Sequence, residues 1–162
     1  MVEVKFARLR EGAIIPSKRD EDAGYDIYAC IKEPVVIKPL DSVMIPTGIA
    51  SVIPEGYYMQ IEERGSTGSK GIKRSCGVMD TGFRGEWFVV ITNCSDRLVV
   101  IAPEGYEDMF REMRVTMYPA KKAIAQAVLH EVIPSKVTEI TPEELALYPS
   151  ERGSGSLGSS NK

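Results

Sequence analysis

The amino-acid sequence predicts an all-β fold, either a barrel or a sandwich. Eight short segments are rich in β-branched and aromatic residues, and glycine, proline, aspartate or asparagine separates them. Many short strands at this spacing are typical of barrels and sandwiches. The chain has 162 residues, enough for one domain with a core and short for two. The predicted strands cover residues 2–9, 25–31, 34–39, 42–54, 56–63, 86–93, 97–103 and 123–133.

Two internal stretches depart from the strand pattern. The segment RGSTGSKGI, residues 64–72, is too rich in glycine and serine for a strand, and it predicts a tight loop that runs into one helical turn. Residues 104–119 predict either a short helix around Tyr106–Met113 or a long loop.

The C-terminal region predicts one short helix followed by a tail. Thr141 is the expected N-cap, Pro142 takes the first helical position, and Glu144 completes a capping box. After Pro149 the chain has too few apolar residues to fold by itself. We therefore expect a β-barrel domain over residues 1–148 and a flexible lid over residues 149–162.

Charge and hydropathy exclude several classes of partner. The chain carries 20 Lys and Arg residues against 23 Asp and Glu residues, so it has no global field for a polyanion, and no direct nucleic-acid binding is expected. No apolar run resembles a signal peptide or approaches the ~20 residues of a membrane span. We expect a soluble, cytoplasmic protein without a membrane partner.

Cysteine and histidine content limits the chemistry. Cys30, Cys76 and Cys94 lack a metal-ligand spacing and are predicted to be free thiols in a reducing compartment. The single histidine, His130, excludes a multi-histidine zinc site and is predicted to be a solvent-facing or hydrogen-bonded strand residue. Catalysis would have to use carboxylates, backbone amides and an oxygen-preferring metal such as magnesium.

The glycine- and serine-rich loop is a candidate anion site. Residues 64–71 supply three glycines, three hydroxyls and two cations, a combination that can cradle a phosphate. The spacing is not that of a Walker loop. A plain surface turn explains the composition equally well.

Three acids are candidates for chemistry. Asp22 and Asp26 flank the segment AGY, where each can serve a turn or hold water or magnesium. Asp80 lies at the lip of a turn in CGVMDTGFRGEWFVVITN, a stretch that predicts a β-hairpin over residues 76–93. Its carboxylate either closes the turn or acts as a general base that deprotonates a water molecule.

The tail allows two interpretations. RGSGSLGSS, residues 152–160, has the composition of a disordered linker. Its leading arginine and final serines also suit a lid that closes over a triphosphate and is ordered by its ligand.

Five segments, in chain order, resemble the motifs of the trimeric dUTPase (dUTP diphosphatase) family. The resemblance covers nearly the whole chain. The matching segments are DAGYDI at 22–27, ERGS at 63–66, GVMDTGFRGE at 77–86, KKAIAQ at 121–126 and RGSGSLGSS at 152–160.

This resemblance implies a jelly-roll-like β-barrel that forms a homotrimer with three sites at subunit interfaces. It also implies Mg²⁺-dependent hydrolysis of dUTP to dUMP and pyrophosphate. Asp80 would activate the water that attacks the α-phosphorus, and Asp26 would support the magnesium through water or orient the phosphate site. The substrate-binding positions implied by the resemblance are Arg64, Gly65, Ser66, Arg74, Gly77, Val78, Met79, Phe83, Gln126, Arg152, Leu157, Ser159 and Ser160.

Within that set, the resemblance implies three groups of roles. Backbone groups around Val78 and Met79 would read the uracil edge, and the ring of Phe83 would pack under the sugar. The phosphates would be held by the Arg64 loop and by Gln126. The tail, from Arg152 to Ser160, would close over the substrate from a third subunit.

The chain departs from the family motifs at five positions. Gly65 replaces a serine, Phe83 a tyrosine, Leu157 a phenylalanine and Ala123 an arginine. Arg74 lies near the position of an asparagine beside the uracil. These changes, with an insertion at about residues 103–119, indicate a divergent branch of the family. A phage-associated member would fit this pattern.

Two other functions compete with dUTP hydrolysis. A dCTP deaminase would need a glutamate where Val90 stands, and valine cannot move a proton. A dUTPase-like regulatory protein would bind a protein partner through the insertion at 103–119. A plain β-barrel module leaves the arginine-headed glycine tail unexplained.

Overall fold

A computed structural model describes residues 1–75 and 77–155 of the chain. The all-β prediction is confirmed, since strands dominate and helical turns are few. In the described residues no helix is long and apolar enough to cross a membrane. The strands are β1 Lys5–Arg8, β2 Gly24–Ile27, β3 Val35–Ile37, β4 Ser42–Pro46, β5 Ile49–Val52, β6 Tyr57–Glu62, β7 Ile72–Arg74, β8 Val78–Met79, β9 Phe88–Asn93, β10 Leu98–Ala102, β11 Val115–Pro119 and β12 Ala125–Glu131.

The strands form four small sheets around one core. Their strand orders are β1-β5, β11-β10-β3, β2-β12-β6-β8 and β4-β9-β7. The pairings are antiparallel except between β10 and β11, which run parallel. The core is fully buried at its largest members, and these include Trp87, Ile27, Ile61, Met59, Ile91 and Tyr118.

Three helical turns lie between strands or after them. Helix α1 spans Gly65–Gly68, a 3₁₀ turn spans Glu107–Phe110, and helix α2 spans Pro142–Leu145. Both α turns follow the sequence predictions. In α2 the Glu144 amide donates to the Thr141 hydroxyl and the Thr141 amide donates to the Glu144 carboxylate, so the predicted capping box is present.

The predicted hairpin over residues 76–93 is wrong. Strand β8 pairs with β6, whereas β9 pairs with β4 and β7. The two halves of the stretch therefore join different sheets, and the turn between them is a crossover. Alternation of apolar residues predicts a strand but does not identify its partner.

The stretch predicted as an insertion contributes to the core at its far end. The helix expected around 106–113 is only the 3₁₀ turn, and residues 115–119 form β11. Tyr118 of β11 is buried in the main core, while Phe110 packs in a second small cluster with Val100 and Ala102.

The C-terminal segment lies outside the core. Every described residue from His130 to Gly155 is exposed, and α2 buries none of its side chains. Apolar residues in this segment, such as Ile133 and Val137, have no cover within the described chain.

Candidate functional site

One end of the sheet β2-β12-β6 collects three polar side chains in a row. Gln126 of β12 pairs in register with Asp26 of β2 on one side and with Glu62 of β6 on the other. Residues paired in register project from the same face, and neighbouring strands lie about 4.8 Å apart. The topology therefore brings together residues that are distant in the sequence.

Arg64 follows β6 and reaches Asp26 across this row. Its Nε lies 3.0 Å from Asp26 Oδ1, its Nη2 lies 3.4 Å from Oδ2, and its Nη1 donates to the carbonyl of Ala123 at 3.2 Å. Its amide donates to the Thr67 hydroxyl at 3.2 Å. The predicted phosphate ligand is thus held in place by its neighbours, and it is still half-exposed.

The Gln126 side chain is held by a hydrogen bond to the backbone, and it occupies space that Gly24 leaves open on the neighbouring strand. Its Nε2 donates to the carbonyl of Glu63 at 2.8 Å. A Cβ on Gly24 would lie 2.4 Å from Gln126 Oε1, so glycine at position 24 leaves space for the glutamine. This explains the glycine of the segment DAGYDI by packing.

The turn α1 presents its glycine and serine to solvent. Gly65 is exposed, and no atom lies within 4 Å of where its Cβ would be. Ser66 Oγ lies 3.4 Å from the hydroxyl of Tyr118, which itself donates to the carbonyl of Ala123 at 2.7 Å. Lys70 Nζ lies 5.3 Å from the centre of the Tyr118 ring. Strand β11 therefore supports the candidate anion loop.

An open pocket of about 710 Å³ borders this row, and Arg64, Asp26 and Gln126 contribute to its wall. Asp22 lies on its rim, where both of its oxygens contact Arg19 at 2.9 and 3.0 Å. The hydrogen bond from Arg19 lowers the pKa of Asp22. This pairing supports the turn interpretation for Asp22.

Tyr28 is a member of this end of the sheet that the sequence analysis missed. Burial raises its pKa, and the neighbouring charge of Asp26 raises it further. The sequence could have indicated this position, because Tyr28 lies two residues after Asp26 and alternate residues of an extended segment share a face.

Asp80 and its neighbours form a second group at the other end of the sheet. The amide of Ile61 donates to the carbonyl of Gly77 at 2.7 Å, and Met79 pairs with Met59. A Cβ on Gly77 would lie 2.8 Å from Ile61 Cβ, so β8 approaches β6 at a distance that requires glycine. Val78 is 56% exposed, and β8 is the edge strand of its sheet in the described residues, so one backbone edge has no partner strand there.

The turn after β8 uses the backbone of Asp80 and leaves its carboxylate free. The amide of Phe83 donates to the carbonyl of Asp80 at 3.1 Å. Asp80 is exposed, and within residues 1–75 and 77–155 its carboxylate has no hydrogen bond or ion pair. The Phe83 ring lies over Gly85, whose Cβ would be 2.7 Å from Phe83 Cζ.

The two groups are not brought together within one chain. Met59, opposite Met79, lies three residues before Glu62 on β6, a separation of about 10 Å along the strand. Strands β8 and β2 are three strand spacings apart, which adds about 14 Å across the sheet. Asp80 and Asp26 therefore belong to different ends of this sheet.

Arg74 and the tail contain the remaining predicted site residues. The guanidinium of Arg74 contacts Glu62 and Glu63 of the polar row. Arg152 is exposed, and its Nε donates to the carbonyl of Gly155 at 2.9 Å. The remaining tail positions lie outside the described residues, and they are Leu157, Ser159 and Ser160.

Metal ligands are sparse in this site. In the described part of the chain no three His, Cys, Asp or Glu side chains form a group that could hold an ion. Few carboxylates are enough for magnesium, which commonly binds through one or two of them together with substrate phosphates and water. Asp26 is the carboxylate that contacts Arg64 in this site.

The sequence is similar to that of characterised enzymes over most of its length. The dUTPase family model matches residues 10–104. The deoxyuridine 5'-triphosphate nucleotidohydrolase of Chlamydia felis is 31% identical over 157 residues, covering 94% of this chain and 95% of that protein. The enzyme of the same name from Fusobacterium nucleatum is 32% identical over 165 residues, covering 99% and 98%.

Solved structures share the fold. A mutant dUTPase of Staphylococcus bacteriophage 80alpha with dUpNHpp has a TM-score of 0.74 and 25% identity, covering 98% of each chain. A mutant dUTPase from phage phi11 of S. aureus, described for its coordination of a structural Mg(II) ion, has a TM-score of 0.67 and 22% identity, covering 85% of this chain and 96% of that one. The predicted jelly-roll-like barrel is confirmed.

Proposed function

This chain belongs to the dUTPase family, and from that membership we propose that it hydrolyses dUTP to dUMP and pyrophosphate. The observation that carries the proposal is the geometry around Asp80. An unpartnered carboxylate follows an open strand edge at Val78, while an arginine-headed loop lies at the far end of the same sheet. One group suits a nucleoside and a water molecule, and the other suits a triphosphate.

The role proposed for Asp80 is that of a general base. Its carboxylate takes a proton from water, the water oxygen forms a bond to the α-phosphorus, and the bond to the α–β bridging oxygen breaks. The electron pair of the broken bond leaves with pyrophosphate. Because such displacement depends mainly on positioning and charge neutralisation, the phosphate ligands are as important as the base.

The uracil and sugar contacts are proposed for the β8 turn. Backbone groups of Gly77, Val78 and Met79 would read the uracil edge, and the close approach of β8 to β6 keeps that edge rigid. The ring of Phe83, 42% exposed above Gly85, would pack against the deoxyribose. A hydrocarbon ring offers no partner for a ribose 2′-hydroxyl, which favours deoxynucleotides.

The phosphate contacts are proposed for the loop after β6. Arg64 supplies charge, Gly65 and Ser66 are exposed, and Gln126 lies beside them. Mg²⁺ would be held mainly by the substrate phosphates, with Asp26 contributing through water. Bound there, it would neutralise phosphate charge.

A homotrimer is the proposed assembly. Met79 pairs with Met59, and Arg64 lies five residues beyond Met59, which is about 16 Å along the chain. This separation of Asp80 from Arg64 supports sites built between subunits, with the nucleoside-binding residues from one copy and the phosphate-binding residues from the next. The tail would then close each site from the third copy, with Arg152 on the phosphates, Leu157 over the uracil, and Ser159 and Ser160 beside them. A cytoplasmic location is proposed as well, in keeping with the free thiols of Cys30 and Cys94.

The test compares pyrophosphate release by the wild type and by Asp80→Asn in the presence of magnesium. With dUTP, dCTP, dTTP and UTP as substrates, we expect the wild type to act on dUTP, and the variant to lose about 10²–10⁴-fold in kcat. Asp41→Asn, at an exposed aspartate directly before β4, is the matched control and should keep full activity. A wild type that leaves dUTP intact would overturn the proposal.

An added role in protein binding is the second candidate. Met109 and Met113, in the stretch predicted as an insertion, are 65% and 49% exposed, and exposed methionines suit adaptable interfaces. A phage 80alpha dUTPase of the same fold is described as controlling the transfer of virulence genes. Such a role leaves Asp80 and Arg64 free for hydrolysis. The relatives and solved structures reported above are named as dUTPases, and none of them is named as a dCTP deaminase.

A further inference from the structure

The polar row at the phosphate end of the sheet contains a second ion pair with no assigned role. Asp26, Gln126 and Glu62 project side by side from three paired strands. Arg64 contacts the Asp26 end of this row. At the opposite end, Arg74 Nη2 donates to Glu62 Oε2 at 2.9 Å.

Arg74 also faces the next carboxylate of the chain. Its Nε lies 3.8 Å from Glu63 Oε2, which is an ion-pair distance and too long for a hydrogen bond. This Nε is buried and has no hydrogen-bond partner among the described residues. Arg74 therefore interacts with Glu63 through charge, while it holds Glu62 by both charge and a hydrogen bond.

The three side chains are only partly solvated. Their exposed fractions are 26% for Arg74, 36% for Glu62 and 33% for Glu63. Arg74 belongs to β7, Glu62 ends β6, and Glu63 follows directly. The contacts of Arg74 therefore join two sheets immediately before Arg64. Solvent screens charges at this depth less than it screens charges on an open surface.

The position of the glutamates makes their charge a problem for an anion site. Glu63 directly precedes Arg64 in the chain, and its carbonyl accepts the hydrogen bond from Gln126. Without a counter-ion, two carboxylates would repel a triphosphate that approaches this loop. Arg74 is the cation that contacts both of them.

We propose that Arg74 is a positioning residue of the phosphate site, which balances the charges of Glu62 and Glu63 and holds the segment leading into Arg64. The inference rests on the proposed dUTPase function and deepens it. It replaces the expectation that Arg74 lies beside the uracil, because the guanidinium is committed to the two glutamates. Arg74 acts on the triphosphate through them.

The first test replaces Arg74 with methionine, which keeps the length of the side chain and removes its charge. We expect Arg74→Met to raise the KM for dUTP by about tenfold at low salt and to change kcat by less than about twofold. The factor should shrink as ionic strength rises, because salt screens the exposed carboxylate charge. Arg74→Lys should recover most of the loss, and Arg97→Met, which removes an exposed ion pair elsewhere, should have no effect.

The second test is rescue by charge removal. In the Arg74→Met background, replacing Glu62 and Glu63 with glutamine should return the KM to within about threefold of the wild-type value. A role limited to holding β7 against β6 would not be repaired this way, because the glutamine variants restore no contact.

A binding measurement separates this inference from the proposed function. Calorimetry with inorganic pyrophosphate should show about tenfold weaker binding to Arg74→Met than to the wild type at low salt. Equal pyrophosphate affinity in the two proteins would overturn the inference, whether or not dUTP is turned over. A salt-independent loss confined to uracil nucleotides would overturn it too, since it would return Arg74 to the uracil. Absence of dUTP turnover in the wild type would overturn only the proposed function.

Discussion

Some side chains in this protein join separate segments of the chain, and Glu86 is the clearest case. It ends the third family-like motif, yet no role follows from the sequence. In the structure its Oε1 accepts the amide of Gly48 at 2.9 Å, and its Oε2 accepts two donors of Arg10 at 2.6 and 3.0 Å. Its side chain is only 13% exposed. One carboxylate thus joins the N-terminal loop, the turn before β5 and the approach to β9.

Glu86→Leu should therefore destabilise the fold. The substitution leaves the buried amide of Gly48 without an acceptor and Arg10 without its partner, so we expect the free energy of unfolding to fall by about 1–3 kcal/mol. Urea denaturation followed by tryptophan fluorescence measures this directly, because Trp87 is the neighbouring residue and is fully buried. Glu3→Leu, at an exposed ion pair with Lys5, is the control and should change the stability by less than about 0.5 kcal/mol. Equal stabilities for the two variants would contradict this account of Glu86.

For single residues, the sequence indicates which side chains are candidates for the reaction, but it does not indicate which side chains they contact. Asp80 and the glycine of the anion loop are exposed, and their roles in the reaction stay predictions. The pairing of Arg64 with Asp26, and of Arg74 with Glu62, depends on which strands lie side by side. The partners are 38 and 12 residues apart in the sequence, so the spacing of residues along the chain does not predict these pairs.

Among the secondary-structure elements, patterns predict strands but leave the shortest of them unseen. Every predicted strand segment contains at least one observed strand, and the run at 42–54 divides at Gly48, whose φ of 69° suits glycine and interrupts the extended chain. Strands β7 and β11 were not predicted, because they adjoin the glycine-rich loop and the charged stretch before residue 115, where loop or helix signals dominate. The hairpin prediction failed for another reason, because β8 pairs with β6 and the pattern does not identify a strand's partner.

An ion pair that depends on pH holds the start of the loop before β11 to the turn after β11. Lys121 donates a hydrogen bond to Glu104, and this bond, with the charge of Lys121, lowers the pKa of Glu104. A carboxyl whose pKa is lowered on folding stabilises the folded loop above its ordinary pKa of about 4.3. That contribution is lost as the pH falls through the lowered value.

Acid should therefore loosen the loop, and Glu104→Gln should do the same at neutral pH. We expect faster hydrogen exchange of amides at 105–114 in Glu104→Gln at pH 7, with little change in β9 or β12. The matched control is Glu112→Gln, an exposed glutamate in the same loop that has no ion pair among the described residues. Unchanged exchange in Glu104→Gln, or an equal increase in both variants, would show that the ion pair does not close the loop.

For the whole molecule, the sequence predicts the fold and the family, while the arrangement of the site depends on the assembly. The first four motif segments contribute to two groups, one around Asp80 and one around Arg64, which lie at different ends of the β6-β8 pair. The exposed segment from 131 to 155 leaves apolar residues such as Ile133 and Val137 without cover in one chain. Buried apolar surface is the main driving force for association, so these residues favour contact with other copies.

Mixing two inactive variants tests whether one site is shared between chains. The Asp80→Asn variant lacks the proposed base but keeps the phosphate-binding residues around Arg64. The Arg64→Gln variant lacks the proposed phosphate ligand but keeps the base. If each site takes Asp80 from one copy and Arg64 from the next, random trimers from an equal mixture contain both wild-type groups in about one site in four. Subunits exchanged by mild denaturation and refolding should then regain about a quarter of the wild-type activity, with a mass in solution of about three chains.

The controls for this experiment are each variant refolded alone and the two variants mixed without exchange, and all three should stay inactive. Activity that stays at zero after exchange, in particles shown by mass to be mixed trimers, would mean that Asp80 and Arg64 of the same chain serve one site. The distances along and across the β2-β12-β6-β8 sheet argue against that outcome, because they leave the two groups too far apart within a chain to meet at one α-phosphorus. Complementation would thus turn a separation read from one subunit into direct evidence for a site between subunits.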